Sequence, residues 1–299
     1  MAEALILLNG EMLESARAGR HNFVARLGAA CERAGMTVRH EEDGMRGRAR
    51  AVRPGVFSAV HMRAPAGPRG VTLRRAVRYP FWTIERTEIR WEWDVARAAF
   101  VRAGGFEPER FARFWRERLL PGDAPGGDAV LVPLQGVLGR KRSFQTMAPL
   151  EMIRRVLAHT DRPVVATLHP SETYPEDEMR PLLSLAVAEP RLRIETGGTE
   201  DWLRRCAYVA TMNSSVAFLG FLLGRPAALF ARVEFHHIAA NVYDLGATRA
   251  IWAAEDMLED APDYAGYVHW FWQEMCVNAG RPETEDRVAA RLRAAGWPV

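Results

Sequence analysis

Residues 129–168 read AVLVPLQGVLGRKRSFQTMAPLEMIRRVLAHTDRPVVATL, and this stretch decides the fold interpretation. Ala129–Leu134 is a short apolar run typical of a buried strand, and Pro163–Leu168 is a second. Between them, Ala148–His159 has the apolar spacing of a helix. A strand, a helix and another strand in this order predict two parallel strands joined by a crossover helix.

The same alternation continues along the C-terminal half of the chain. Further helices are predicted at Glu176–Ala188, Glu200–Arg205 and Ser214–Leu223, and further strands at Arg191–Glu195, Tyr208–Met212 and Ala227–Phe230. Two last helices are predicted at about Tyr264–Asn278 and Glu283–Ala295. Apolar strands separated by helices indicate a parallel sheet with helices on both faces.

The N-terminal half shows the same pattern less regularly. Predicted strands are Ala4–Leu8, Met36–Arg39, Val56–Met62 and Val71–Leu73, and predicted helices are Asn22–Ala34, Phe81–Val101 and Pro108–Leu120. PGDAPGGD (residues 121–128) has the composition of a linker, so the domain boundary is predicted there. We therefore expect an α/β protein with two doubly wound, Rossmann-like domains, residues 1–121 and 122–299, the second ending in helices.

Composition excludes several classes of protein. The chain has 299 residues, of which 48% are hydrophobic and 26% charged, which excludes intrinsic disorder and a collagen-like repeat. A net charge of +3 is too small to indicate a protein that binds nucleic acid through a strongly basic surface. The three cysteines lie far apart and support neither a disulfide framework nor a zinc site. The predicted location is the cytoplasm, and any attachment to the inner face of the membrane would be peripheral and through a partner.

Polar residues follow the strands of the C-terminal half, where an open parallel sheet binds its ligands. Asn213, Ser214 and Ser215 lie between a strand and a helix, with Asn213 as the expected N-cap, and their hydroxyl and backbone N–H groups suit a phosphate. The alternative is a helix cap without a ligand. His169 and Pro170 end another strand; His169 can donate to a phosphoryl oxygen, or it is a core histidine.

A basic turn, GRKRS at residues 139–143, follows the first strand of this half and the polar Gln135. Its candidate phosphate ligands are Arg140, Lys141, Arg142 and Ser143. The alternative is a solvated charged turn. The two adjacent histidines of EFHH, residues 234–237, point in different directions on any regular element, so no metal site is predicted.

An acidic loop, HEEDG at residues 40–44, follows a strand of the N-terminal half. Crowded carboxylates favour protonation of one member, as a general base working near neutral pH requires, so Asp43 and Glu42 are candidate catalytic residues. The alternative is a polar turn that ends at Gly44.

An acidic–acidic–glycine turn, a His-Pro at a strand end and a Ser-Ser at a helix start together resemble the motifs of bacterial sialyltransferases and capsule polysaccharide Kdo transferases. The C-terminal half is similar to the capsule polysaccharide biosynthesis family in VLVPLQ (130–135), PVVATLHP (163–170), DWLRRCAYVATMNSSVAF (201–218) and GRPAALF (224–230). The resemblance implies a GT-B-like glycosyltransferase architecture. It implies that His169, Ser214 and Ser215 hold the phosphate and ribose of a CMP-activated acidic sugar, and that Asp43, or Glu42, is the base.

The predicted function is therefore metal-independent transfer of an acidic sugar from a CMP-linked donor, with no cofactor, to a glycan or glycolipid acceptor in surface or capsular polysaccharide synthesis. Two alternatives stay open. One is a non-catalytic nucleotide-binding scaffold protein of polysaccharide synthesis, favoured by Thr167, where relatives often carry a lysine. The other is a nucleotide-sugar epimerase or hydrolase, because related folds also use a strand-end histidine and a phosphate-holding helix.

Overall fold

The computed structural model describes residues 2–299, which divide into two compact units. The first unit runs to Ala98 and also contains Phe271–Val299, and the second is Ala99–Trp270. Each unit contains one six-stranded sheet. The elements up to residue 119 are β1 (Glu3–Leu8), α1 (Gly10–Arg17), α2 (Asn22–Arg33), β2 (Thr37–Glu42), α3 (Met45–Ala51), β3 (Val56–His61), β4 (Val71–Arg75), β5 (Phe81–Glu85), α4 (Asp94–Arg97) and α5 (Glu107–Leu119).

The remaining elements lie between residues 129 and 294. They are β6 (Ala129–Leu134), α6 (Pro149–His159), β7 (Val164–Leu168), α7 (Glu176–Ala188), β8 (Leu192–Thr196), α8 (Thr199–Arg205), β9 (Cys206–Thr211), α9 (Ser215–Phe221), β10 (Ala227–Leu229), β11 (Ala240–Asn241), α10 (Val242–Leu245), α11 (Ala247–Asp256), α12 (Tyr264–His269), β12 (Val277–Asn278) and α13 (Thr284–Ala294). The α/β class and the doubly wound sheets predicted from sequence are confirmed.

The sheet of the first unit has the strand order β12-β5-β4-β3-β1-β2. Strands β1 to β4 are parallel, whereas β5 is antiparallel to β4 and β12 is antiparallel to β5. Residues 4–8 of β1 are all buried, as expected for a central strand covered on both faces. Helix α2 covers one face with Phe23, Val24 and Leu27. The carboxyl ends of β1, β2, β3 and β4 therefore share one edge.

The helix predicted at Phe81–Val101 is wrong. Phe81–Glu85 is strand β5, and the helical residues that follow are a 3₁₀ turn at Arg90–Glu92 and the four-residue α4. At 100° per residue, Trp82, Trp91 and Trp93 lie on no single helix face, so their spacing never supported a helix. The indole of Trp82 instead stacks on Phe23 of α2, with ring centroids 4.5 Å apart.

The sheet of the second unit is parallel throughout, in the order β11-β10-β9-β6-β7-β8. All five strands predicted in this half form, with ends within two residues of the predictions. The helix predicted at Tyr264–Asn278 forms as far as Met275, changing from α-helical to π-helical geometry after His269, and is wrong at its end, where strand β12 follows. Val277 and Asn278 pair with Trp82 and Phe81 of β5, a long-range pairing that local spacing does not reveal.

The division into units differs from the sequence-based boundary after residue 121 in two ways. The C-terminal residues 271–299 belong to the first unit, where α13 packs on α2. The PGDAPGGD stretch lies within the second unit and is packed there. Arg225 donates from Nη2 to the Ala124 carbonyl at 3.2 Å, and the Gly126 N–H donates to the Arg204 carbonyl at 3.1 Å.

A substitution at Gly127 tests how tightly the PGDAPGGD stretch is packed. A Cβ at Gly127 would lie against the backbone carbonyl of Arg205, whereas a Cβ at Gly104 meets nothing within 4 Å. We expect Gly127→Ala to lower the free energy of unfolding by about 1–3 kcal/mol through overpacking. Gly104→Ala, the matched control, should change it by less than about 0.5 kcal/mol. Equal chemical-denaturation midpoints for the two variants would contradict this packing.

Candidate functional site

Three neighbouring strands of the second unit end at one edge of its sheet. Strand β6 lies between β7 and β9, and all three are parallel. Gln135 directly follows β6, His169 directly follows β7, and Asn213 is the second residue after β9. Because neighbouring strands are about 4.8 Å apart, the segments after β7 and β9 lie about 10 Å apart across the end of β6. The predicted site residues of this half are therefore grouped along one edge.

Ser214 caps the helix that follows β9. Its side chain is buried and its Oγ accepts a hydrogen bond from the Val216 N–H at 3.3 Å, so helix α9 begins at Ser215. The N-cap predicted at Asn213 is thus wrong by one residue. An N-cap must have extended backbone angles, and Ser214 has them, with φ −67° and ψ 136°. Because the Ser214 Oγ accepts this bond, its hydroxyl proton stays available to a ligand.

A small pocket opens at this edge. It combines the end of β6, the basic loop, the start of α6 and the end of β9. Its lining residues are Pro133, Leu134, Gln135, Arg142, Gln145, Pro149, Met152, Thr211, Met212, Asn213 and Ser214. Of the predicted residues, Gln135, Arg142, Asn213 and Ser214 line the pocket.

The other predicted residues lie outside the pocket lining. They are Arg140, Lys141, Ser143, His169, Pro170 and Ser215. All of them are exposed to solvent except Ser215, which is half-buried. Of the four candidate residues in the basic turn, Arg142 alone lines the pocket, and all four are exposed to solvent.

Gln145 is a pocket residue that the sequence reasoning missed. It is buried, and its Oε1 accepts a hydrogen bond from the Arg142 N–H at 2.7 Å, so its amide NH₂ is the group left for a ligand. The next residue, Thr146, anchors the loop because its N–H and hydroxyl both donate to the Phe230 carbonyl, at 2.9 and 2.7 Å. A polar residue two positions after the basic turn was the available signal.

His169 is oriented by two local hydrogen bonds. Its Nδ1 accepts from the Ser171 N–H at 3.2 Å, which places the proton of the neutral ring on Nε2. Its backbone N–H donates to the Tyr174 Oη at 2.9 Å, and that hydroxyl donates to the Leu134 carbonyl at 3.3 Å. Tyr174, also missed from sequence, therefore joins the ends of β6 and β7, and burial raises the pKa of its hydroxyl. His169 can donate from Nε2 to an anionic oxygen.

The acidic loop of the first unit follows β2. The Asp43 N–H donates to the Leu8 carbonyl at 3.0 Å, which fixes Asp43 at the carboxyl end of β1 as well. Its side chain is only 1% exposed. Arg48 donates to both carboxylate oxygens, from Nε at 2.6 Å and from Nη2 at 3.1 Å, and Arg63 approaches Oδ2 at 3.4 Å.

This arrangement differs from the crowded carboxylates expected from the sequence. Asp43 is paired with Arg48, whereas Glu41 is paired with Arg50, which also binds Glu3, so the two acids contact different guanidinium groups. Glu42 is exposed. The hydrogen bond to Asp43 raises the pKa of Arg48, so the arginine remains charged. Asp43 is therefore held as a buried, oriented carboxylate rather than activated by a neighbouring acid.

Residues 2–299 contain no group of three or more His, Cys, Asp or Glu side chains placed to hold a metal ion. The adjacent histidines of EFHH stack on each other, with ring centroids 4.3 Å apart, and the Nδ1 of His237 lies 2.9 Å from the Tyr267 Oη. None of the helices in residues 2–299 combines the length and the apolar character needed to cross a bilayer.

The fold is similar to that of Thermosulfurimonas dismutans KpsC, described as a beta Kdo 2,7 transferase. The TM-score is 0.51 with 13% sequence identity, over 81% of this chain and 83% of that chain. No protein-family model and no curated protein sequence matches the chain. The likeness shows the fold, and the GT-B-like α/β architecture implied by the sequence resemblance is confirmed.

The pairing of Asp43 with Arg48 provides a test of the acidic loop. Arg48→Ala leaves a buried carboxylate without its main partner, and we expect the free energy of unfolding to fall by about 2 kcal/mol. Arg46→Ala, an exposed neighbour, should change it by less than about 0.5 kcal/mol. Adding Asp43→Asn to Arg48→Ala should recover part of the loss, because a neutral amide needs no counter-charge. Urea unfolding measures all four proteins, and an unchanged Arg48→Ala midpoint would contradict the pairing.

Proposed function

We propose that this chain is a glycosyltransferase that moves an acidic sugar from a CMP-linked donor to a glycan or glycolipid acceptor in the synthesis of a surface polysaccharide. The observation that carries the proposal is the pocket at the carboxyl edge of the second unit, in a fold similar to that of a Kdo transferase. Fold similarity alone does not decide function, so the chemistry of the residues at that edge must support the proposed reaction.

The donor phosphate is the leaving group, and it gains negative charge as the glycosidic bond breaks. In the proposal, the Ser214 hydroxyl and the Gln145 amide donate to its oxygens in the pocket, and Arg142 supplies positive charge. His169 donates from Nε2 at the neighbouring strand end. Donors fixed before the reaction stabilise this charge without rearrangement, so the proposed transfer needs no metal ion.

Asp43 is the proposed base for the acceptor hydroxyl. Arg48 and Arg63 bind its two oxygens, but a carboxylate oxygen has more than one acceptor position, so a hydroxyl proton can still reach it. Its orientation is fixed by Arg48. General base catalysis by a positioned carboxylate contributes about 10²–10⁴ to the rate.

A nucleotide-binding scaffold protein is the second candidate, and one observation favours it. The carboxylate of Asp43 is buried and already engaged by two arginines, as in a purely structural ion pair. A scaffold would bind the nucleotide and transfer nothing. Calorimetric binding of CMP without turnover of any CMP-sugar would support the scaffold over the transferase. Release of free or epimerised sugar without an acceptor would instead support the hydrolase or epimerase reading.

Thermal unfolding with CMP, UMP, GMP and AMP tests the donor class. A ligand at a hundred times its dissociation constant stabilises a protein by about 2.7 kcal/mol, and we expect CMP to give the largest shift. Ser214→Ala should reduce the CMP shift because it removes a phosphate donor. Ser184→Ala, on the exposed side of α7, is the matched control and should respond as the wild type does. Equal shifts for all four nucleotides would contradict a CMP donor.

Single-turnover transfer from a CMP-sugar tests the catalytic residues. Asp43→Asn should lower the rate at least about 100-fold while leaving CMP affinity nearly unchanged. His169→Ala should lower both the rate, by about 100-fold, and the affinity. Glu42→Gln, next to Asp43 and exposed, should keep the wild-type rate. Loss of activity in Glu42→Gln with retention in Asp43→Asn would make Glu42 the base instead.

A further inference from the structure

A second group of polar side chains lies at the carboxyl edge of the first unit, on the other side of β1 from Asp43. His61 is the last residue of β3 and Arg75 is the last residue of β4. His61 pairs with Leu73 in the parallel register, and Arg75 pairs with Trp82 in the antiparallel one. Because side chains alternate along a strand, His61, Leu73, Arg75 and Trp82 all project from the same face.

Helix α2 covers that same face and brings a second histidine to the edge. His21 precedes α2, and its Nδ1 accepts a hydrogen bond from the Val24 N–H at 3.3 Å. The imidazoles of His21 and His61 both contact the Trp82 indole, with ring centroids 5.6 and 6.1 Å away. The Arg75 guanidinium lies over the same indole at 5.8 Å. The three basic side chains thus surround one aromatic ring.

The charges around His61 all have the same sign. Burial, together with the positive charges of His21, Arg75 and Arg74, lowers the pKa of His61 to about 4. Burial also lowers the pKa of His21, with a contribution from Arg75. No acidic side chain in residues 2–299 forms an ion pair with Arg75, and Asp43 across β1 is taken by Arg48 and Arg63. Arg75 therefore has no counter-ion among the described side chains.

The backbone beside these residues is strained. Met62, directly after His61, has φ 58°, and Val77, two residues after Arg75, has φ 69°. These left-handed conformations are unfavourable for non-glycine residues, most of all for β-branched valine, and such strain is concentrated at functional sites.

We infer that His21, His61 and Arg75 form a binding site for an anionic group, a carboxylate or a phosphate. Arg75 is exposed and can bind an oxygen anion through two N–H groups. The His61 imidazole is half-buried and forms no hydrogen bond with another side chain or backbone group of residues 2–299. His21 keeps its proton on Nε2 because Nδ1 is occupied, so it donates without being charged. A metal ion is disfavoured, because the arginines would repel it.

The identity of the anion rests on the proposed function. If the first unit holds the acceptor, this site binds an acid group of that acceptor, either a sugar carboxylate or the phosphate of a lipid-linked glycan. Asp43 follows β2 and His61 ends β3, with β1 between them, so the backbones of the two residues are about 10 Å apart along this edge. The His61 imidazole is on the face covered by α2, whereas Arg48, the partner of Asp43, comes from α3 on the opposite face. An acceptor bound here by its anionic group would therefore extend across the edge of the sheet to Asp43, and the anion would not contact the reacting hydroxyl.

Proton linkage gives the site a signature that a structural cluster lacks. An anion stabilises the protonated form of His61, so binding must raise the pKa of His61 above its value of about 4. By the same linkage, the anion binds more tightly as the pH falls through the pKa of the bound state towards that of the free state. A rise of one unit at saturation corresponds to about tenfold tighter binding to the protonated form.

NMR titration of the histidine ring protons tests the inference on the full chain. His61→Gln assigns the His61 resonance among the eight histidines. Titrations are run in a non-coordinating buffer alone, with inorganic phosphate, with glucuronate, and with glucose as the neutral control. We expect phosphate or glucuronate to raise the pKa of His61 by about one unit and glucose to leave it unchanged. A response to only one of the two anions identifies the class of ligand.

Arg75→Ala separates binding from a general salt effect. Without anion, it should raise the pKa of His61 because a positive neighbour is lost, and it should abolish the further rise on adding the anion. Arg53→Ala, exposed near the amino end of β3, is the matched control and should change neither value. The inference is overturned if neither anion shifts His61 more than glucose does, or if Arg75→Ala keeps the full response.

These outcomes are independent of transferase activity, because no donor is present. If an anion raises the pKa of His61 but the protein turns over no CMP-sugar, the anion site is supported and the proposed function is rejected. An active transferase without the response would reject the site alone. If both hold, Arg75→Ala should raise the KM for an acidic acceptor by about tenfold with kcat unchanged, unlike Asp43→Asn.

Discussion

Burial of strand β6 on both faces is the constraint on which the second unit depends. All six residues of AVLVPL are buried, and β6 pairs with β7 on one side and β9 on the other. Parallel strands must end at one edge, so Gln135, His169 and Ser214 lie together although they are distant in the sequence. Tyr174 then ties the ends of β6 and β7 through its hydroxyl, and Gln145 orders the basic loop beside them. The hydrophobic core therefore positions the polar edge.

The first unit places charge at the corresponding edge in two different ways. Around Asp43, Arg48 and Arg63 satisfy a buried carboxylate. Around Trp82, basic groups meet without an acid. A buried charge is costly unless it is paired, so the ion pairs make the first arrangement complete by itself. In the second arrangement the charged group, Arg75, is exposed, and the inferred anionic ligand would supply the counter-charge that it lacks. The two arrangements flank β1 and divide the work proposed for this edge between proton transfer and anchoring.

Architecture and chemistry support the proposed function at different levels. The similarity to KpsC is a similarity of fold, and proteins with a fold of this kind catalyse many different reactions. The choice of an acidic sugar on CMP depends instead on the strand-end residues and on the motifs that resemble Kdo transferases and sialyltransferases. The Thr167 hydroxyl accepts a hydrogen bond from the Thr199 Oγ1 at 3.0 Å and carries no charge, so in the proposal the positive charge for a phosphate comes from the basic loop.

The sequence by itself determined the α/β class, five of the six strands of the second unit and the edge at which its polar residues gather, because apolar runs and helical spacing are local signals. Only the tertiary structure decided that Phe81–Glu85 is a strand and that Val277–Asn278 returns to pair with it, since such pairing depends on a distant partner. It likewise decided which polar groups meet: Arg48 on Asp43, Gln145 under the basic loop, and His21, His61 and Arg75 around Trp82. Contacts between side chains from separate elements leave no periodic trace in the chain, and their geometry is set by packing.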